Sequence, residues 1–220
     1  MMFCLNVNAE GTVGQLKGAF TVNGAGKRVW FSRGNLQYQA STDTWRFAEN
    51  QYDYIGNAAG NNTAAGSRDT QSAWIDLFGW GTANNPTITT GNSTFTDWGI
   101  NAISNGGNTG NLWRTLTKDE WEYLLKSRPT ASEKRYAWAT VNGIKGVILF
   151  PDDWATDFTP GTIVSLSDWV NNYEAKGTVF LPAAGYRSGT TVSSAGGCCY
   201  YWFNAKDGSG NAYRYYSTGG

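Results

Sequence analysis

The sequence has no histidine, only three cysteines and no long apolar run, and each shortage disfavours a class of function. Without histidine the chain lacks the commonest general base and the commonest zinc ligand, which disfavours most hydrolases and zinc sites. The cysteines do not form a disulfide framework, because two of them, Cys198 and Cys199, are adjacent and bridge each other only with strain. The third, Cys4, would be left over, so cysteine usage does not fix the redox compartment.

An excess of charge of either sign is also missing. Seventeen basic side chains balance seventeen acidic ones, so no overall field draws the protein to nucleic acid or to an anionic membrane. No segment approaches the roughly 18 apolar residues of a membrane span. Residues 1–5 are too short for a secretory signal and lack its charged flank. We therefore expect no nucleic-acid partner and no membrane insertion.

Tryptophan and glycine, in contrast, are abundant. Eleven tryptophans and 28 glycines among 220 residues indicate many turns held by aromatic cores, because glycine permits tight turns and tryptophan buries a large apolar area. The length and the 40% hydrophobic content allow one sizeable core. We interpret residues 1–17 as a loosely attached N-terminal lead-in and residues 18–220 as one globular domain.

Short apolar segments that flank turn residues predict antiparallel hairpins. The paired segments are residues 20–22 with 29–31, 36–38 with 45–47, 136–139 with 146–150, and 199–203 with 212–216. A further strand is predicted at residues 179–181. Two stretches of turn composition, residues 57–68 and 82–93, predict long ordered loops around the apolar segment 74–80.

Two helices are predicted, and the first begins with a capping box. Thr117 and Glu120 have the required spacing, and three apolar residues follow at the i, i+3, i+4 positions of one helix face: Trp121, Leu124 and Leu125. Arg128 and Pro129 end this helix, because the residue before a proline disfavours helical backbone.

The second helix is predicted from Ser167, its N-cap, to Lys176, before Gly177. Its inward-facing residues would be Trp169, Val170 and Tyr173. Together these elements predict an α+β domain with two helices, short antiparallel strands and long ordered loops.

Residues 113–124, with their Arg-Thr-Leu-Thr and Glu-Trp-Glu-Tyr sequences, resemble the start of a helix in the formylglycine-generating-enzyme branch of the C-type lectin fold. A well-capped amphipathic helix is the alternative account of this segment alone. Further matches are residues 180–187 (Phe-Leu-Pro-Ala-Ala-Gly-Tyr-Arg), 201–202 and 212–214, together with 29–37 and 143–154. This series is similar to the variable proteins of diversity-generating retroelements in gut bacteria and their phages. The resemblance covers the chain from about Gly18 onward and implies a C-type-lectin-like fold with a variable region at about residues 186–220.

Two activities known for this fold lack their residues here. Enzymatic members act through a cysteine pair in a specific C-terminal context with metal nearby, whereas Cys198 and Cys199 are adjacent and no histidine assists them. Calcium-dependent lectins use a Glu-Pro-Asn or Gln-Pro-Asp tripeptide, and neither occurs. Asp152 and Asp153 could contribute to a calcium site, although a solvated turn is the simpler interpretation. We expect no catalytic residue, no metal ligand and no cofactor.

The resemblance also implies which residues contact a ligand. Retroelement mutagenesis changes adenines in AAC-type codons and yields Asn, Tyr, Ser, Gly, Cys, Asp, Phe or Ala, but never Trp, Lys, Glu, Gln or Met. The predicted ligand-binding residues fit this alphabet: Ser188, Ser193, Ser194, Gly196, Gly197, Cys198, Cys199, Tyr200, Phe203, Asn204, Asp207, Asn211, Tyr213 and Tyr215. Trp202 and Lys206 do not fit it and are predicted to be fixed scaffold. Any hairpin rich in Gly, Ser and Tyr would pass the same test, which leaves a structural alternative open.

We therefore predict a non-enzymatic protein that recognises a receptor or another cell-surface ligand. Its predicted location is extracellular, on a bacterial cell surface or a phage virion, although no signal peptide is visible in the chain. The alternatives are an oxidase of the formylglycine-generating type and a purely structural surface or virion domain. The ligand, the choice between phage and bacterium, and the oligomeric state stay open, a homo-oligomer included. Related proteins continue into a further strand, so either residues 212–216 close the domain against the N-terminal strand or a strand edge is open to a partner chain.

Overall fold

The computed structural model describes residues 4–5, 11–56, 73–85, 91–189 and 191–219. This part of the chain combines two short α-helices with several small β-sheets, which agrees with the predicted α+β class. The predicted loop at residues 57–68 lies outside the described residues, as do residues 86–90 of the second loop and residues 1–3 and 6–10 of the lead-in.

The elements are short and follow one another closely. The strands are β1 (Cys4–Leu5), β2 (Phe20–Thr21), β3 (Arg28–Val29), β4 (Leu36–Gln39), β5 (Thr44–Phe47), β6 (Trp74–Ile75), β7 (Trp113–Arg114), β8 (Tyr136–Val141), β9 (Ile144–Leu149), β10 (Thr162–Val164), β11 (Val179–Pro182), β12 (Tyr186–Ser188), β13 (Thr191–Ser193), β14 (Cys198–Lys206) and β15 (Ala212–Thr218). The α-helices are α1 (Lys118–Glu122) and α2 (Leu166–Asp168), which continue as π-helices over Tyr123–Ser127 and Trp169–Tyr173. Three 3-10 turns complete this part of the chain: Ala40–Thr42, Trp98–Ile100 and Glu174–Lys176.

The four hairpins predicted from turn composition are confirmed. β2 pairs with β3, β4 with β5, β8 with β9 and β14 with β15, all antiparallel. At the β8–β9 turn, Asn142 and Gly143 both have positive φ, 49° and 79°. Such a two-residue turn matches the twist of the strands it joins. Local turn chemistry therefore determines the hairpins.

The largest sheet has the order β10-β8-β9-β11, and one of its pairs departs from the predicted antiparallel pattern. β10 lies parallel to β8, with Thr162 opposite Ala139. After β9 the chain crosses to the far edge of the hairpin and reverses there, so that β10 runs with β8 and against β9. The expectation of antiparallel strands throughout is wrong at this pair, because a crossover of this kind has no local signature in the sequence.

The first helix begins as predicted, at a capping box. The Glu120 amide donates to Thr117 Oγ1 at 3.1 Å, and Glu120 Oε2 accepts from the Thr117 amide at 2.9 Å. The same buried carboxylate accepts two bonds from Arg114, at 2.6 and 2.7 Å, and one from Lys27 at 3.0 Å. Burial alone would raise the pKa of Glu120, but these hydrogen bonds outweigh it and lower the pKa to about 2. The cap thus also joins β7 to α1.

The second helix begins two residues earlier than predicted. Ser165, not Ser167, is the N-cap, and its hydroxyl accepts from the Asp168 amide at 3.1 Å. Trp169 is buried and stacks on Tyr173, but Val170 is 44% exposed and does not face inward as predicted. Trp169 and Tyr173, four residues apart, share the face that packs on the core, and Val170, the residue after Trp169, faces solvent. The helical segment ends as predicted at Gly177, which has a φ of 81°.

The buried side chains form three clusters, and the one that matters for the site lies between α1 and the β14–β15 hairpin. There the Trp121 ring stacks on Phe203 and Tyr215, with ring centroids 5.8 and 5.9 Å apart. A second cluster fills the space around β4 and β5, and a third lies between the four-stranded sheet and Trp169. Tryptophans are prominent among the buried side chains, including Trp45, Trp80, Trp98, Trp113 and Trp121. Trp74 is half-buried, and the Arg46 guanidinium lies 3.7 Å from its ring centroid.

The described part of residues 1–17 is attached to the rest of the chain. Leu16 is buried in the first cluster and its amide donates to the Phe31 carbonyl at 2.9 Å. The Gly14 carbonyl accepts from Arg33 at 2.7 Å. At the other end, β15 pairs with β14 and, among the described strands, with no N-terminal one. None of the described helices is long and apolar enough to cross a membrane.

Candidate functional site

The β14–β15 hairpin has two faces because side chains alternate along a strand. Register sets which residues share a face: Tyr201 lies opposite Tyr215, whereas Tyr200 lies opposite Tyr216 and Trp202 opposite Arg214. The pattern of burial along β14 and β15 follows this alternation. Neighbouring tyrosines in the sequence therefore point in opposite directions, one into the core and one away from it.

The inner face packs against α1 and β11. The Tyr201 hydroxyl donates to the Pro182 carbonyl at 3.1 Å, and Cys199 Sγ lies 3.4 Å from the Leu181 carbonyl. Four of the predicted ligand-binding residues are buried on or beside this face: Cys198, Cys199, Phe203 and Tyr215. Correcting the predicted set, we leave these four out of the candidate site, because a ligand does not reach side chains that face the core.

On the outer face, Tyr200 contacts Tyr216 of the same hairpin and Tyr186 of the neighbouring strand β12. The Tyr200 ring lies 4.9 Å from Tyr186 and 4.8 Å from Tyr216, and the Arg214 guanidinium lies 5.2 Å from the Tyr200 ring. We call Tyr186, Tyr200, Tyr216 and Arg214 the tyrosine face. Tyr216 is 53% exposed. Burial raises the pKa of Tyr200, so its hydroxyl is protonated at neutral pH and can donate a hydrogen bond.

A cleft of about 670 Å³ opens beside the tyrosine face. Its other walls are residues 77–80, 91–92 and 185–187, and the hairpin contributes Trp202, Lys206 and Ala212 to it. Its volume falls within the range of ligand-binding clefts in proteins, about 300–1,000 Å³. The cleft and the tyrosine face together form the candidate site.

Indole hydrogen bonds hold the hairpin against one wall of the cleft. Trp202 Nε1 donates to the Phe78 carbonyl at 2.8 Å, and Trp80 Nε1 donates to the Phe203 carbonyl at 2.7 Å. Each indole thus satisfies a backbone carbonyl of the opposite segment, which fixes the distance between residues 78–80 and β14.

Two cationic side chains hold the remaining walls. Lys206 Nζ donates to the Asn92 and Ser93 carbonyls at 3.0 and 3.1 Å and lies 4.5 Å from the Trp80 ring. On the other side, Arg187 donates to the Leu77 carbonyl at 3.1 Å. Burial lowers the pKa of Arg187, and the nearby Asp76 carboxylate acts in the opposite direction. The residues predicted as scaffold, Trp202 and Lys206, therefore both bond to loops across the cleft.

The other predicted residues lie around the hairpin rather than at one place. Asp207 accepts from the Ser209 and Asn211 amides and from Asn211 Nδ2, at 2.8 to 3.0 Å, so these side chains organise the β14–β15 turn. Tyr213 packs against the core, with Lys118 Nζ 4.8 Å from its ring. Ser188 and Ser193 lie in the β12–β13 hairpin, and Asn204 lies at the irregular end of β14. The turn before β14 contains Ser194, Gly196 and Gly197.

Of the tyrosine face, the predicted residue set contains Tyr200 alone and lacks Tyr186, Arg214 and Tyr216. The signal that finds the last two is the register of the hairpin. The turn alone does not give this register: counting from Lys206 opposite Ala212 would put Tyr216 opposite Trp202. An irregularity between Trp202 and Lys206 shifts the pairing, so that Tyr216 lies opposite Tyr200 and Arg214 opposite Trp202. Tyr186 comes from a different strand, and its position beside Tyr200 depends on tertiary packing.

The adjacent cysteines have the properties of core residues. Cys199 is 0% exposed, and burial raises the pKa of both thiols. Since the thiolate is the reactive species, neither side chain is activated for attack or metal binding at neutral pH. The Asp152 carboxylate pairs with Arg128 Nη1 at 2.8 Å and accepts hydrogen bonds from the amide and hydroxyl of Thr21. It therefore forms a structural ion pair. No group of three potential metal ligands occurs among the described residues.

A second cleft, of about 970 Å³, lies near β4 and β5 and is larger than the candidate site. Several of its polar side chains are engaged within the protein: Arg46 Nε donates to Gln37 Oε1 at 2.9 Å, and the Arg46 guanidinium stacks on Trp74. Asn105 uses both ends of its amide on the Phe47 backbone. We prefer the smaller cleft because it adjoins an exposed aromatic cluster.

Comparisons with models of protein families, with curated proteins and with solved structures found no match to this chain.

Proposed function

We propose that this chain is a non-enzymatic binding protein that recognises a receptor or another cell-surface ligand through the tyrosine face and its cleft. The proposal includes a C-type-lectin-like fold of the formylglycine-generating branch and a C-terminal region, residues 186–220, diversified by a retroelement. It places the protein outside the cell, on a bacterial surface or a phage virion. The sequence resemblance of residues 113–124 and 180–187 supports the fold and the origin.

The observation that carries the proposal is the separation of the two faces of the β14–β15 hairpin. The inner face is buried against Trp121, and Trp202 hydrogen bonds across the cleft. The outer face presents Tyr200 and Tyr216, whose side chains make no contribution to that inner packing. A hairpin of this kind tolerates change on one face while the other preserves the fold.

The chemistry of the outer face suits recognition of a macromolecule. Tyrosine offers a large, rigid, amphipathic contact area at low cost in conformational entropy, as in antibody paratopes. Asn204, near the end of β14, belongs to the adaptable polar residues that accompany tyrosine in such surfaces. The proposed variable positions on this face are Tyr200, Asn204 and Tyr216.

The oxidase alternative is less well supported, because its chemistry needs an accessible thiolate and both neighbouring thiols are buried with raised pKa values. The alternative of a purely structural surface or virion domain predicts that the tyrosine face binds nothing. Measurement of binding separates it from our proposal.

The binding test uses a panel of extracellular proteins and glycans, probed with the wild-type chain and with matched tyrosine variants. The double variant Tyr200→Ala/Tyr216→Ala removes the centre of the tyrosine face. Tyr136→Ala is the control, since Tyr136 is similarly exposed but lies outside the cleft. We expect at least one panel member to bind the wild type and the control and to bind the double variant at least about tenfold more weakly, a loss of about 1.4 kcal/mol. Binding that is equal in all three proteins contradicts the proposal.

The proposed origin has a separate test in the DNA that surrounds the gene. We expect a near-repeat of the segment encoding residues 186–220 beside a reverse transcriptase gene, with differences at adenines. Those differences should concentrate in codons of the outer face, such as those of Tyr200 and Tyr216, and avoid the codon of Trp202. A flanking sequence without such a repeat contradicts the retroelement origin but not the binding function.

A further inference from the structure

The cleft beside the tyrosine face carries a net positive charge, although the net charge of the whole chain is zero. Three cationic side chains line it, namely Arg187, Lys206 and Arg214, and no aspartate or glutamate is among its described lining residues. The whole chain has seventeen basic and seventeen acidic residues. The cations of the cleft are therefore a local excess and not a reflection of the composition.

Two of these cations have no carboxylate partner within the described part of the chain. Arg214 is exposed on β15, and its guanidinium lies over the Tyr200 ring. Lys206 bonds to backbone carbonyls, which leaves its charge uncompensated. Ion pairs among the described residues involve neither side chain. Arg187 differs, because the Asp76 carboxylate offsets part of its charge.

The nearest acidic group on the hairpin, Asp207, is engaged in the β14–β15 turn. Its carboxylate accepts from Ser209 and Asn211, and these hydrogen bonds lower its pKa. It therefore completes the turn structure rather than an ion pair with Arg214. Arg214 is therefore available to a negative charge brought by a partner, while Lys206, held by the Asn92 and Ser93 carbonyls, adds positive charge to the cleft.

The groups available at this site match carboxylates. A guanidinium donates to a carboxylate in a bidentate, charge-assisted geometry, and tyrosine hydroxyls can add further donors. The three adjoining rings of the tyrosine face provide apolar area for the chain that carries those carboxylates. Charge complementarity of this kind speeds association and selects among partners.

The alternatives to a polypeptide find fewer matching groups. Sugar hydroxyls call for carboxylate and amide partners, but the cleft has no carboxylate among its described lining residues, and its two asparagines already donate within the protein. A nucleic acid binds through neutralisation of many phosphates, and the described lining of the cleft offers three cations. We infer that the tyrosine face binds a polypeptide segment rich in aspartate and glutamate, an inference that rests on the proposed binding function.

The experiment selects short random peptides for binding to the full chain and compares two charge-reversed variants. Arg214→Glu reverses the charge at the site, and Arg28→Glu is its matched control, an exposed strand arginine outside the cleft. We expect peptides selected on the wild type to carry a net negative charge. Their affinity should fall at least about tenfold in Arg214→Glu and stay within about twofold in Arg28→Glu. Raising NaCl from about 0.05 M to about 0.5 M should also weaken binding, because salt screens these charges.

Each other outcome overturns a defined part of the account. Peptides that are neutral or basic, but lose binding in Tyr200→Ala, overturn the acidic ligand and leave the proposed function standing. Acidic polysaccharides that bind through Arg214 while no peptide does overturn the polypeptide class. Failure of all peptides, polysaccharides and panel proteins overturns the proposed function as well. If Arg214→Glu lowers the melting temperature, Arg214→Gln, which removes the charge without reversing it, replaces it in the comparison.

Discussion

The inner and outer faces of the β14–β15 hairpin are made from the same two strands and have opposite properties. On the inner face, Phe203 and Tyr215 are buried against the Trp121 ring. On the outer face, Tyr200 and Tyr216 contact each other and solvent. The difference teaches that aromatic composition alone does not locate an exposed face, because one residue along a strand separates a core position from an exposed one.

The largest effect should come from removing an aromatic side chain of the inner face. We expect Phe203→Ala to lower the free energy of unfolding by about 3–5 kcal/mol, since truncating a buried aromatic residue loses its burial and leaves a cavity. Chemical denaturation of the variant and the wild type measures the loss. Tyr216→Ala, the matched outer-face variant, should change stability by less than about 1 kcal/mol. Similar losses in both variants would remove the distinction between the faces.

A smaller but still large effect should follow from removing the charge of Glu120, at the start of the helix α1 that packs on the inner face. Replacing this carboxylate with an amide, Glu120→Gln, leaves Arg114 and Lys27 without their anionic partner. We expect a loss of about 3 kcal/mol in unfolding free energy at pH 7, as for other broken buried pairs. Glu122→Gln is the control, because that residue is half-exposed and pairs only with surface lysines. Equal losses in the two variants would contradict the structural role of Glu120.

The same carboxylate makes stability depend on acid pH. Its pKa is lowered from 4.5 to about 2, so the folded protein holds the charged form more strongly than the unfolded chain. The contribution is therefore fully present above pH 4.5 and is lost as pH falls toward about 2. Denaturation curves across this window should converge for the wild type and Glu120→Gln as pH falls. A stability difference that stays constant down to the lowest pH would refute this origin of the effect.

Much of the fold could be predicted from the sequence because its signals are local. Turn residues such as Asn142 and Gly143 determine the hairpins, and the spacing of Thr117 and Glu120 determines the start of α1. The start of α2 could not be predicted exactly from the sequence, because Ser165 and Ser167 are both acceptable N-caps. The choice between them depends on the packing of the buried Trp169. The parallel pairing of β10 with β8 depends on a crossover and has no local signal.

The candidate site was predictable in place but not in residue detail. The sequence indicates the hairpin, yet Tyr200, Tyr201, Tyr215 and Tyr216 are identical in type and divide between the two faces. Only the register against β15 and the contact with α1 decide which pair is buried. A test based on the amino-acid alphabet of mutagenesis therefore included core residues such as Cys199, because small and aromatic residues are also ordinary core residues.

The smallest effect should come from Trp202, whose indole bonds the β14–β15 hairpin to the opposite wall of the cleft. Trp202→Phe retains most of the apolar volume but loses the indole donor to the Phe78 carbonyl. We expect a loss of about 1 kcal/mol, the usual value of one hydrogen bond with a partner left behind. Urea denaturation measures it, with Tyr136→Phe, an exposed residue outside the cleft, as the control. No loss beyond that of the control would show that this bond does not hold the wall.

The most direct test of the two-faced hairpin is an alanine scan of residues 199–204 and 213–217 that records both melting temperature and affinity for a peptide selected on the wild type. The account predicts two alternating patterns in opposite phase, with Trp202 as the exception, because its indole bond to the Phe78 carbonyl makes it a stability position on the outer face. Alanine at residues 199, 201, 203 or 215 should lower the melting temperature. Alanine at residues 200, 214 or 216 should lower the affinity for the peptide and leave the melting temperature nearly unchanged. Stability and affinity that fall together at the same positions, without alternation, would contradict the account.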